Sequence, residues 1–225
     1  MLTEATVEVE GRMPYSSNAT FLVTLEHPVR SHRAVYKPIR GERPLWDFPS
    51  GLAWRELAAY ELSHALGWDL VPPTVVREGP LGEGSFQWFI EADFEEHYFT
   101  LREHPEHDTT LRRLCAFDIL ANSTDRKGGH VLVDGDGRLW AIDNGLSFHP
   151  QYKVRTVLWD FAGEPIPSDI VDAVDRFVDQ GIPAPLASLL HPLERDALLT
   201  RARALIAEGH FPHDHTGRAH PWPLV

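Results

Sequence analysis

Two aspartates stand on either side of a stretch that turns back on itself. Residues 122–133 read NSTDRKGGHVLV, and residues 142–145 read IDNG. A helical pattern ends just before the first run, so a loop presents Asp125, and a short hairpin then presents Asp143 at its far end. Carboxylates separated by a hairpin can converge on one cation. Hard cations such as Mg²⁺ take oxygen ligands and keep substrate phosphates in their shell. Phosphoryl transfer asks little more of a protein than positioning, charge neutralisation and a group that orients the nucleophile. A surface hairpin with ordinary turn aspartates is the alternative reading of the same residues.

Two further groups fit that chemistry. Lys37 lies in the strand-like run AVYKPI, and Glu56 lies in the helical run that follows. A strand lysine reaches nucleotide phosphates when a carboxylate holds it in place. Lysine is scarce here, with only Lys37, Lys127 and Lys153 in the chain. Ser16, Ser17 and Asn18 form a small-residue turn between two strand-like runs, where backbone N–H groups can approach phosphates. The turn lacks a GxGxxG pattern. Lys127 follows Asp125 closely enough to neutralise a transferring phosphate, or it faces solvent. Lys153 and Arg155 lie beyond the second aspartate, where they can meet an anionic acceptor or face solvent.

The elements that must position these residues follow from periodicity. Alternation and turn residues predict strands at residues 4–10, 21–25, 34–39, 70–77 and 85–91. Leu52, Ala53, Leu57, Tyr60, Leu62 and Leu66 fall largely on one face of a helix over 52–66, with Gly67 as its stop. Helices are predicted at 110–121, 168–179 and 192–208, and short strands at 130–133 and 139–142 flank the turn DGDG. The residues after 208 predict an irregular, solvated tail.

Small-residue turn, strand lysine, helix glutamate, apolar strand, aspartate loop, hairpin and second aspartate is the order of parts in kinases. DILANSTDRKGGHVL and AIDNGLSF resemble the catalytic and metal-binding motifs of type II phosphatidylinositol 4-kinases. Over nearly its full length, including VYKPIRGERPLWDFP and GWDLVPPTV, the chain resembles a bacterial family related to phosphatidylinositol 3-/4-kinases. The resemblance implies an α+β, two-lobed kinase-like fold in a single domain, residues 1–225, with an N-lobe of about 1–91 and a mostly helical C-lobe of about 92–225. It implies ATP with Mg²⁺ or Mn²⁺ as cofactors. Lys37 would contact the phosphates and Glu56 pair with it. Phe89 and Ile90, on a hinge strand over 87–91, would lie near the adenine. Asp125 would orient or deprotonate the acceptor hydroxyl, and Asp143 would be the principal metal ligand. Where the family pattern has a metal-binding Asn, this chain has His130. Imidazole is a softer donor that suits Mn or Zn better than Mg²⁺. Three readings of His130 stay open: a ligand with altered metal preference, a phosphate contact, or the loss of a metal site in a pseudokinase. Transfer of AMP, with the nucleotide reversed, is a rival reaction on the same fold.

Composition narrows the partners. The formal net charge is −12 and no basic run exceeds Arg112–Arg113, which argues against nucleic acid and anionic lipid surfaces. A protein Ser/Thr or a small polar molecule is therefore favoured over a lipid as acceptor. No apolar run reaches the ~18 residues that a membrane span requires. The single cysteine, Cys115, reads as a core residue, and together with the absence of a signal peptide it predicts a cytoplasmic setting. His210, His213, His215 and His220 lack the cysteines or helical spacing of a zinc site. The tryptophans read as structural.

Overall fold

The computed structural model describes every residue except Tyr15, Ser17, His215, Thr216 and Arg218. Strands β1 (Thr6–Arg12), β2 (Phe21–Glu26), β3 (His32–Pro38), β4 (Thr74–Gly79) and β5 (Gly82–Trp88) form one antiparallel sheet in the order β1-β2-β3-β5-β4. Helix α1 (Leu52–Ala65) lies between β3 and β4 in sequence and packs against β4 and β5. The remainder is mostly helical: α2 (Tyr98–Leu101), α3 (Asp108–Ala121), α4 (Ser168–Gln180), α5 (Ala184–Leu189) and α6 (Pro192–Glu208), with the hairpin β6 (Val131–Val133) and β7 (Leu139–Ala141). The result is the two-lobed α+β architecture expected from the sequence.

Side-chain alternation along β3 decides which residues reach the cleft. Ala34 and Tyr36 are buried with Val23, Leu25 and Phe86 in the core of the sheet. Successive side chains on a strand point to opposite faces, so Val35 and Lys37 emerge on the other side. The Tyr36 and Phe86 rings stack with centroids 4.3 Å apart. Gly84 of β5 pairs with Pro38, and a Cβ there would stand 2.4 Å from the Lys37 carbonyl oxygen, so the strand closes on β3 only with glycine.

Ala58, Ala59 and Leu62 of α1 enter the main core with Leu114, Phe117 and Leu120 of α3 and Leu198, Ala202 and Leu205 of α6. Helix α6 opens with Pro192 at its first turn and with the Glu194 carboxylate accepting from the His191 N–H at 2.9 Å. Proline suits that position because its missing N–H has no helical partner there. The hairpin turn is closed by the Asp134 carboxylate, which accepts from the N–H groups of Asp136 and Arg138 and from Trp140 Nε1.

The structure departs from the predicted elements in specific places. Residues 70–73 are not a strand: Pro72 and Pro73 have no N–H to donate, and Leu70 is instead tied by its N–H to Ser63 Oγ at 2.7 Å. Strand β5 ends at Trp88; the Phe89 N–H still donates to the Arg33 carbonyl of β3 at 3.2 Å, and Ile90 and Glu91 leave the sheet. The short helices α2 and α5 were not foreseen, because four to six residues carry too little periodicity to register. Residues after α6 form no helix or long strand among the described residues, yet they are not a solvated tail. Phe211 and Ala219 are buried, and the Ala219 carbonyl accepts from the Thr156 N–H and from Trp159 Nε1. The Leu224 carbonyl accepts from the Gly128 N–H at 2.7 Å. Trp46 and Trp222 are exposed, not structural. Cys115 is buried, and burial pushes its thiol pKa up. No helix among the described residues is long and apolar enough to cross a membrane.

Candidate functional site

A cleft of about 530 Å³ lies between the sheet and the helical part. Ser16, Asn18, Lys37, Glu56, Phe89, Ile90, Asp125, Lys127, His130 and Asp143 all line it. Ser17 lies outside the described residues.

Lys37 is the centre of the arrangement. Its ammonium contacts Glu56 Oε1 and lies 2.7 Å from Asp143 Oδ1. Burial works against the charge on Lys37, but Asp143 and Glu56 outweigh it and raise its pKa. Glu56 is itself buried, and its second oxygen accepts from the Asn144 N–H at 2.9 Å. One carboxylate on α1 thus holds both the β3 lysine and the loop that carries Asp143. The Lys37 ammonium keeps the Asp143 carboxyl well below the usual carboxylate range. Asp143 has φ +58°, the left-handed region that few side chains other than Asp and Asn tolerate.

His130 Nε2 lies 3.4 Å from Asp143 Oδ2, and its Nδ1 accepts from the Lys127 N–H at 3.4 Å. Burial pulls the imidazole pKa down to about 4, so the ring is neutral near pH 7. Asp125 behaves oppositely. Burial raises its pKa, and Lys127, with Nζ 3.2 Å from Oδ2, partly offsets the rise. Lys127 therefore lines the cleft, with its side chain 22% exposed. Lys153 is paired with Asp47 at 2.9 Å and lies 5.2 Å from the Trp46 ring centroid, while Arg155 is exposed. Asn18 does not leave its side chain free: Oδ1 accepts from the Arg43 N–H at 2.9 Å.

Several residues that shape the site carried no signal in the sequence. Arg126 is fully buried, pairs with Asp118 of α3, and donates to the Ile142 carbonyl and to Asn144 Oδ1. It binds the Asp125 loop to the Asp143 loop. Asn122, the left-handed cap of α3, donates to the carbonyls of His149 and Gln151 and accepts from the Lys153 N–H. Val35, Leu132 and Ile142 supply apolar walls to the cleft. The alternation that sends Lys37 to the cleft face of β3 is a signal that could have found Val35, whereas Leu132 sits in a three-residue strand and Ile142 just beyond one, both too short to show a period.

Among the described residues no three His, Cys, Asp or Glu side chains converge into a metal cage. Of the carboxylates lining the cleft, Glu42 accepts from the N–H groups of Gly51 and Ala53 and Glu56 is engaged by Lys37 and the Asn144 N–H, which leaves Asp125 and Asp143 as the hard oxygen donors, with His130 as a softer neighbour. Mg²⁺ is ordinarily held by one or two carboxylates plus substrate phosphates rather than by an all-protein cage, so this donor set fits such an ion.

No protein-family model matches the chain. Among solved structures, hydra Fam20 with sugar is similar at a TM-score of 0.56 and 13% identity, covering 94% of this chain and 90% of that one. The Helicobacter pylori proinflammatory kinase CtkA is similar at a TM-score of 0.54 and 12% identity, covering 96% and 95%. These likenesses establish an atypical kinase-like fold. At the level of sequence, Protein Rv2133c of Mycobacterium tuberculosis is 38% identical over 261 aligned residues, covering 99% of this chain and 94% of that protein, and the chain belongs to its family.

Proposed function

We propose that the chain is an ATP-dependent phosphotransferase that moves the γ-phosphoryl group to a hydroxyl acceptor. The observation that carries the reading is the Lys37 ammonium held between Glu56 and Asp143, with Asp125 on the same cleft. Lys37 is already oriented by two carboxylates, so it meets the phosphates without first being ordered. Val35, Leu132, Ile142, Phe89 and Ile90 offer the adenine an apolar slot. The acceptor oxygen attacks the γ-phosphorus while its proton passes to Asp125. The new P–O bond forms as the bond to the bridging oxygen breaks, and ADP leaves. Burial raises the Asp125 pKa, which suits a carboxylate that must accept a proton. Lys127 stands where it neutralises charge on the transferring group.

Asp143 would hold a divalent cation, which when bound neutralises phosphate charge. The reading assigns His130 as the neutral donor beside Asp143, which favours Mn²⁺ relative to an amide in that place. The motifs around Asp125 and Asp143 support a relation to phosphatidylinositol 3-/4-kinases. The acidic chain, with its net charge of −12, favours a protein Ser/Thr or a small polar molecule over a phosphoinositide. Hydra Fam20 was solved with sugar, and a sugar hydroxyl is among the acceptors this reading admits.

The test is nucleotide turnover by the purified chain with Mg²⁺ and then Mn²⁺, with the product identified and Asp125→Ala run alongside. The expected result is ADP that the variant fails to make. Pyrophosphate as product would replace phosphoryl transfer by AMP transfer, and tight nucleotide binding without any product would replace it by a pseudokinase.

A further inference from the structure

A second cavity, about 510 Å³, opens in the helical part of the molecule and shares no lining residue with the cleft. Ile119 of α3, Leu205 of α6 and Phe211 give it an apolar wall, and Tyr152 lines it as well. Its size falls in the range of small-molecule sites, and so does its mixture of apolar wall and a few polar groups.

Arg201 sets this cavity apart. It lines the cavity while being only 8% exposed. Its Nε donates to the Leu120 carbonyl at 2.9 Å, and among the described residues its buried Nη2 has no hydrogen-bond partner. Burial pulls its pKa down to about 10, which still leaves it charged near pH 7. Glu194, two turns earlier on α6, does not neutralise it through contact, since its oxygens are taken by Arg55 and by the His191 N–H. The hydrogen bond of this buried guanidinium goes to a neutral carbonyl, and its unsatisfied Nη2 donor calls for an explanation. The guanidinium fork matches carboxylate and phosphate oxygens. Tyr152, 55% exposed at the rim of the cavity, carries a phenol that is protonated near pH 7 and able to donate. Glu208 also lines the cavity and disfavours a second anionic group on the body of the occupant.

We propose that this cavity is a binding site for a small organic anion, its single carboxylate or phosphate head on Arg201 and its apolar body against Ile119, Leu205 and Phe211. The site stands apart from the cleft and from the phosphotransfer reading.

The probes are benzoate and phenyl phosphate, with benzamide as the uncharged control, titrated into the full chain by calorimetry. At least one of the two anions is expected to bind, and the one that binds identifies the head group, while benzamide does not bind measurably. Arg201→Gln is expected to weaken the anion by roughly tenfold to a hundredfold, the worth of a charged hydrogen bond. Ala204→Phe, at an exposed position on the cavity wall, is expected to block binding by filling the space. If Arg201→Gln does not fold, Ala204→Phe decides alone. Anion affinity unchanged in the folded variants would place the probe elsewhere and overturn the proposal. So would the failure of both anions to bind up to about 1 mM, a weak affinity for a built site.

Discussion

Arg126 and Asp118 form an ion pair that solvent does not reach, with Nε 3.1 Å from Oδ1 and side chains 1% and 0% exposed. Thr156 Oγ1 donates to the other Asp118 oxygen at 2.8 Å. The pair is the anchor from which Arg126 reaches the Ile142 carbonyl at 2.6 Å and the Asn144 side chain. Removing one partner of such a pair leaves an uncompensated buried charge, which costs about 3–5 kcal/mol. Asp118→Ala is expected to lose stability on that scale, measured by denaturant unfolding. A loss below about 1 kcal/mol, the worth of an exposed pair, would show that Arg126 is not held there.

Glu56 separates orientation from charge. Glu56→Gln keeps the shape and the Asn144 contact but removes the negative charge from Lys37. Small misplacements of a positioned group cost about a hundredfold in rate. Turnover of ATP is expected to fall on that order, with nucleotide affinity changed less. Equal losses in affinity and turnover would mean that Glu56 serves binding alone.

The pH dependence of turnover tests the assignment of Asp125. A base must be deprotonated, so activity falls as pH drops through its pKa. Burial sets that pKa above the usual carboxylate range, and Lys127 restrains the rise. Lys127→Met removes the restraint, so the acid limb of the kcat/KM profile is expected to move to higher pH. An acid limb that stays in place would assign the titration to another group.

Gly84 lies far from the chemistry but sets the strand that carries Lys37. A methyl at this position would meet the Lys37 carbonyl and the Pro38 Cα at 2.4 and 2.7 Å, and both are backbone atoms that cannot turn aside. Gly84→Ala is expected to destabilise the fold by about 1–3 kcal/mol, as overpacking does. Thermal unfolding measures it, and an unchanged midpoint would show that β3 and β5 separate freely.

The fold was legible where a pattern ran long enough to show its period. Helix α6 announces itself through Leu198, Ala202 and Leu205 on one face and through Pro192 with Glu194 at its start. Helix α5, six residues long, offers no such stretch. The cleft residues were legible because Asp125, Asp143, Lys37 and Glu56 have chemistry that their order in the chain exposes. Arg126 was not, because an arginine beside a candidate aspartate reads as a surface charge. Only the fold shows that Asp118, on the buried side of α3, receives it. The strand predicted over 85–91 runs too far for a similar reason: apolar content continues through Phe89 and Ile90, but β4 gives way to Pro72 and Pro73 and only the Phe89 N–H still reaches β3, at the Arg33 carbonyl. The exposed ring of Trp46 shows that aromatic character predicts burial only when an element exists to pack it.

The left-handed backbone of Asp143 restricts the routes by which this position can change. Glycine, asparagine and aspartate adopt that conformation readily, whereas other L-residues pay about 1–2 kcal/mol. Glutamate would keep the charge but meet the backbone penalty, and alanine would lose both charge and conformation at once. Asparagine alone keeps the shape while removing the charge. Position 143 therefore has no acidic substitute free of backbone cost: glutamate keeps the carboxylate only at that penalty, and the other residues that adopt the conformation readily give the carboxylate up.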